Sequence, residues 1–147
     1  MTVLHLGVLD IPHVAPTGKA QTAPLTTGDV ADILEAKYHV MELFYEECGP
    51  AIADAMAESM GDALADLLGG APPGNNATTA AMGKIQDLFV QFIDRKQLDG
   101  VVPGVPTLAA LKGVNHRFLH PFAKANPPRP SFKDTGLYED SFRAWVD

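Results

Sequence analysis

Cysteine is nearly missing from this chain: Cys48 is the single one in 147 residues. A lone cysteine excludes an intrachain disulfide framework and a cysteine-based zinc cluster. It fits a chain made in a reducing compartment. Long apolar runs are missing too, for none approaches the ~20 residues of a membrane span. The opening stretch, Met1 to Gly7, lacks the basic region of a signal peptide. Cations are scarce, at 11 Lys and Arg against 18 Asp and Glu, for a net charge of −7. That balance argues against whole-surface binding of nucleic acid or an anionic membrane, and neither is expected as a partner. There is no glycine-rich loop followed by Lys-Ser/Thr and no dinucleotide fingerprint. No cofactor is expected.

What is present suffices for one core. Apolar residues make up 46 % of the chain, and its length fits one domain. The charges are segregated. Ala20 to Asp99 holds four basic and thirteen acidic residues, a net of −9. Gly100 to Lys133 holds five basic residues (Lys112, Arg117, Lys124, Arg129, Lys133) and no acid. An acidic body thus precedes a basic segment, residues 100–133. In a head-to-tail assembly Lys112, Arg117, Lys124 and Arg129 would face an acidic surface of a neighbour. The plainer reading is a solvated basic loop.

Residues 1–26 read as an extended N-terminal arm, and residues 27–147 as one α+β domain. Thr2 to Ile11 is a short apolar strand, and Pro12, Pro16, Gly18 and Pro24 follow it. A terminal strand on such a link can add to a neighbour's sheet, or it can pair within its own chain.

Three longer helices follow. The first is expected near Asp29, capped by Thr26, Thr27 or Asp29, with a stripe of Val30, Ile33, Leu34, Met41, Phe44 and Cys48. Gly49 should end it and Pro50 should open the next. The second, Pro50 to Leu68, has the stripe Ile52, Met56, Met60, Ala63, Leu64 and Leu67, and should pair with the first as an antiparallel hairpin. The third runs from Thr78 or Thr79 to Leu98 on Met82, Ile85, Leu88, Phe89, Phe92 and Ile93. Thr107 should cap a short helix from Leu108 to about Lys112. Ser141 to Asp147 alternates as a strand. The expected fold is α+β: a body of about three helices with a small sheet from the C-terminal strand, the N-terminal arm being the candidate second strand.

Asp134-Thr135-Gly136 is the active-site tripeptide of aspartic proteases, where two such carboxylates share a proton. That chemistry needs a buried strand before the aspartate, and Ser131, Phe132 and Lys133 stand there instead. His116 and His120 have the i, i+4 spacing of a helical zinc pair, but Pro121 follows at once and no third ligand fits. Cys48 lies on an apolar stripe and reads as a small core residue. No nucleophile–base pair emerges, so no enzyme and no metal site are expected. Asp134 is expected to bond to the N–H groups of Thr135 and Gly136 as an Asx-turn, with Gly136 at positive φ and a strand directly after it.

The segment Arg129 to Phe142, RPSFKDTGLYEDSF, resembles the Pro-x-(apolar)-x-Asp-Thr-Gly-x-(apolar)-x-x-Ser element of small tailed-phage virion proteins. These are the tail-completion and head–tail joining proteins of the neck. Leu25 to Tyr38 resembles structural proteins of contractile-tailed phages. The likeness is close at the C-terminal end and loose over the helical body. Glu139 and Asp140 follow the turn where that family often has basic residues. The resemblance implies a virion structural protein that forms a homo-oligomeric ring, six-fold in such proteins, and joins tail parts or head to tail. Its partners would be itself and other tail or neck proteins. The alternative reading is a phage-encoded protein-binding adaptor or a baseplate component, also without catalysis.

Overall fold

Thr26 opens the first helix. Its Oγ1 accepts the Asp29 N–H at 3.2 Å, and the Asp29 carboxylate accepts the Thr26 N–H at 2.9 Å. The two bonds make a capping box. A computed structural model describes residues 3–12, 25–72 and 78–147. In chain order its elements are β1 (Leu4–Val8), α1 (Thr27–Tyr38), α2 (Val40–Leu68), α3 (Thr79–Asp94), α4 (Leu108–Leu111), α5 (Leu137–Ser141) and β2 (Phe142–Val146). The fold is α+β, as expected.

The first break falls at His39 rather than at Gly49-Pro50. His39 takes left-handed backbone, φ +52°, while its N–H still bonds the Glu35 carbonyl at 3.0 Å. The Glu35 carboxylate then serves the next helix: Oε2 accepts the Met41 N–H at 2.7 Å and Oε1 the Glu42 N–H at 3.2 Å. One acidic side chain thus satisfies two orphan donors of α2 and favours its positive end. Gly49 and Pro50 pass inside α2. Pro50 is on the exposed side, where water can reach the carbonyl that proline leaves unpaired. Phe44 before it and Ile52 and Ala55 after it are buried, so packing carries the helix through.

The helical hairpin is therefore α2 with α3, not the two segments flanking Gly49. Lys84 Nζ meets Glu58 Oε2 at 2.6 Å near one end, and the Phe44 ring meets Phe89 and Phe92 at 5.1 and 5.5 Å near the other, so the pair is antiparallel. Ile85, Phe89, Phe92 and Ile93 of α3 are buried, as the periodicity predicts. The α2 stripe is only half used. Ile52 is buried, whereas Met60, Leu64 and Leu67 are exposed. The buried Phe44, Ile52, Ala55 and Ser59 lie on a different face of the helix from Met60 and Leu64, and α3, with 16 residues against 29, does not run the whole length of its partner. α3 ends at Asp94, short of the expected Leu98, and Lys96 turns the chain at φ +57°.

β2 lies on this pair. Phe142 stacks on Phe89 at 4.1 Å and meets the edge of Phe44 at 5.6 Å. β1 pairs with β2 antiparallel, with Leu4 opposite Val146, Leu6 opposite Ala144 and Val8 opposite Phe142. Leu4, Leu6 and Val8 pack on the core. Of the two pairings open to this strand, addition to a neighbour's sheet is corrected to pairing within its own chain, which uses one edge of its ladder and its apolar face. The stitching continues past the strand. The buried Thr27 hydroxyl accepts the Ile11 N–H at 2.7 Å and donates to the Leu9 carbonyl, and Asp10 Oδ1 accepts the Gly28 N–H at 3.0 Å. The Thr26 hydroxyl, and after it the Gly28 N–H, hold the Asp10 carboxyl below its usual range. The Pro16, Gly18 and Pro24 link lies outside the described residues.

Thr107 caps α4 as expected, its Oγ1 accepting the Ala110 N–H at 3.2 Å. Past Gly136 the structure differs from the reading: the short helix α5 comes before the strand.

Candidate functional site

The basic segment folds back onto the Asp-Thr-Gly element. Asp134 is the anchor. Its Oδ1 accepts the His116 N–H at 2.8 Å, and its Oδ2 lies 2.5 Å from the His116 ring Nδ1. Arg129 Nη2 stands 3.9 Å from Oδ1. The expected Asx-turn to Thr135 and Gly136 is replaced by these bonds, because the His116 N–H, the His116 ring nitrogen and the Arg129 guanidinium compete for the same oxygens. Thr135 makes the local bond instead, its Oγ1 accepting the Leu137 N–H at 3.3 Å. Gly136 has φ +83°, as expected. A Cβ there would overlap the Arg117 guanidinium, which donates through Nε to the Thr135 carbonyl.

The four cations read as interface residues divide into two kinds. Arg117 bonds the Thr135 carbonyl, and Arg129 bonds the carbonyls of Val114 and Pro130 within its own chain. Burial lowers the Arg129 pKa, and the Asp134 charge opposes that. Lys112 and Lys124 stand exposed, and no side chain of the described residues binds them.

A second charged group lies beside the turn. Lys133 Nζ is 2.5 Å from Asp94 Oδ1 and 2.8 Å from Glu139 Oε1. Burial works to lower the Lys133 pKa, but hydrogen bonds and charge from Asp94 and Glu139 hold it above its usual value. Glu139 is 5 % exposed, and its Oε2 has no hydrogen-bond partner. Burial pushes its carboxyl up, against the pull of Lys133. The neighbouring Tyr138 hydroxyl is also buried and unpaired, and burial, then the Glu35 charge, raises its pKa.

Asp134, His116, His120 and Cys48, which carry the catalytic and ligating residue types of the motifs above, are placed as follows. The sequence holds one Asp-Thr-Gly, and its aspartate faces His116 and Arg129 rather than a second carboxyl. His116 and His120 sit in a loop, not on a helix; the His116 ring meets the edge of Phe122 at 5.5 Å. Cys48 packs against the core, and burial, then the Glu47 charge, raises its thiol pKa and disfavours the thiolate. Glu35, His39 and Glu42 bring ligand-type atoms within 4.8 Å of one another. The Glu35 oxygens already accept two N–H groups, and His39 Nδ1 lies 2.8 Å from Glu42 Oε2. The set serves as a cap at the α1–α2 junction. A cavity of about 10 Å³ between Phe92, Leu98, Asp99, Ser131 and Phe132 has room for about one water.

Sequence reasoning missed His116 as the partner of Asp134, and the Lys133–Glu139–Asp94 group. The first pair is 18 residues apart and Lys133 is 39 from Asp94, so no local spacing announces either. Among the described residues no helix is long and apolar enough to cross a membrane. No family model, curated protein or solved structure matches the chain.

Proposed function

We propose that this chain is a non-catalytic structural component of a phage tail or neck, acting in the virion as a homo-oligomeric ring that joins tail parts or head to tail. The observation that carries the reading is the construction of the Arg129–Phe142 element. Its aspartate and glycine are used to hold a basic loop and to aim α5 and β2. Those roles support a structural reading of the element, and the likeness of this segment to the joining proteins supports the place proposed for it. The segregation of charge supports self-association, since an acidic body and a basic segment on one chain attract between copies.

The test is mass spectrometry of purified particles, separated into heads and tails, from a phage or prophage that encodes the chain. A joining protein is present at a fixed copy number in tails or at the junction. A chain recovered only from the cell extract is an adaptor, and that result overturns the proposal.

A further inference from the structure

A buried acceptor and a buried donor share the walls of one cavity. The acceptor is Asp99 Oδ1, which is buried and has no hydrogen-bond partner. The donor is the hydroxyl of Ser131, a residue 3 % exposed. Its Oγ accepts the Thr107 N–H at 3.0 Å, and its own proton has no acceptor among the described residues. Asp99 and Ser131 both line the cavity of about 10 Å³, whose apolar wall is Phe92, Ile93, Leu98 and Phe132. We propose that this cavity is the binding site of one ordered water, which accepts from the Ser131 hydroxyl and donates to Asp99 Oδ1.

Size and chemistry together select the occupant. The space fits about one water, and a buried water makes about two to four hydrogen bonds. Water both accepts and donates, so a single molecule meets both needs. A metal cation or an ammonium satisfies the carboxylate but offers the Ser131 proton no acceptor. An apolar molecule satisfies neither group, and a buried carboxylate oxygen left unmet is costly. Lys96 also lines the cavity, yet its ammonium forms no ion pair with Asp99.

The water has a structural task. Asp99 lies in the turn after α3, and Ser131 holds the Thr107 N–H at the start of α4, where Thr107 Oγ1 accepts the Ala110 N–H at 3.2 Å. The bridge from Asp99 through water and Ser131 to Thr107 ties together three segments distant in sequence. Lys96 and Phe132 are walls of the same cavity, at φ +57° and +67°. They are two of the three non-glycine residues with left-handed backbone among those described. Such conformations persist where the surrounding structure over-determines them. The bridging water fixes the turn that contains Lys96 to the turn that contains Phe132. The site goes beyond the ring reading and does not depend on it.

The experiment is a crystal structure of the full chain at a resolution that places ordered waters. Oxygen-17 relaxation dispersion, which counts long-lived buried waters, gives the same reading in solution. One water should lie about 2.6–3.0 Å from both Asp99 Oδ1 and Ser131 Oγ. Asp99→Asn retains an oxygen acceptor and should retain the water. Asp99→Leu removes the acceptor and fills the space, so the solution count should fall by one water. Thermal melts verify that both variants fold; if Asp99→Leu does not, the wild-type crystal structure decides alone. A cavity found dry in that structure, or oxygen contacts of about 2.3–2.6 Å that mark a metal cation, overturns the inference. So does an unchanged count in a folded Asp99→Leu. The virion test is separate: a chain missing from particles sinks the ring and leaves this site standing.

Discussion

Asp134 holds His116 twice, by the backbone N–H at 2.8 Å and by the ring Nδ1 at 2.5 Å. The aspartate of the Asp-Thr-Gly turn therefore fastens the basic loop to the C-terminal element. In Asp134→Asn the amide oxygen still accepts the backbone N–H, and the charge contact is lost. Both side chains are substantially exposed, so that contact contributes ~0–1 kcal/mol. Asp134→Ala leaves the N–H without its acceptor and should be worse, at about 1–3 kcal/mol. Urea unfolding of the two variants gives the ranking; equal losses would show that charge, not the backbone bond, dominates.

Gly136→Ala should destabilise through φ +83°, where a Cβ costs about 1–2 kcal/mol. The Arg117 guanidinium in the way belongs to a flexible side chain and can swing out. Arg117→Ala made together with Gly136→Ala should therefore recover little of the loss. Full recovery in the double variant would locate the cost in the guanidinium instead of the backbone.

Glu139 sets a pH dependence. Its folded pKa is raised above the ordinary 4.5 by burial. The fold thus favours the protonated acid, and that contribution is complete below about pH 4.5 and lost as pH rises through the raised value. Glu139→Gln mimics the protonated form, so wild type should lose stability relative to this variant on going from pH 4 to 8. Thermal melts across that range test the sign; a constant or growing wild-type advantage contradicts it. Lys133 has a raised pKa as well, so its contribution persists up to its unfolded value of 10.5 and fades as pH rises through the folded one. Lys133→Met should cost about 1–3 kcal/mol near neutrality, since it leaves the buried Glu139 carboxyl without its partner while Lys133 itself is part-exposed.

Pro50→Ala should stabilise the protein. Proline in a helix interior is about 3 kcal/mol less favourable than alanine. Loss of its stiffening of the unfolded chain takes back up to ~1 kcal/mol. The expected net gain is about 2 kcal/mol, seen as a higher melting temperature. A lower one would mean that the continuous α2 depends on the proline ring.

Much of this fold was decided within a few residues of each element. The capping groups Thr26 and Thr107, the α3 stripe of Ile85, Phe89, Phe92 and Ile93, the positive φ of Gly136 and the terminal strand all follow from local chemistry. A cap bonds three residues away and a stripe repeats every three or four, so a linear reading captures them. Tertiary structure decided the rest. Gly49-Pro50 did not end a helix, because packing by Phe44 and Ile52 on either side outweighed the local breaker, while Glu35 reached across to start α2 at Val40. The N-terminal strand found its partner at the other end of the chain, Leu4 opposite Val146, and Asp134 chose His116 over its own turn. These are choices between partners equally able to bond. Only the folded geometry, which brings distant donors and apolar faces within reach, selects among them.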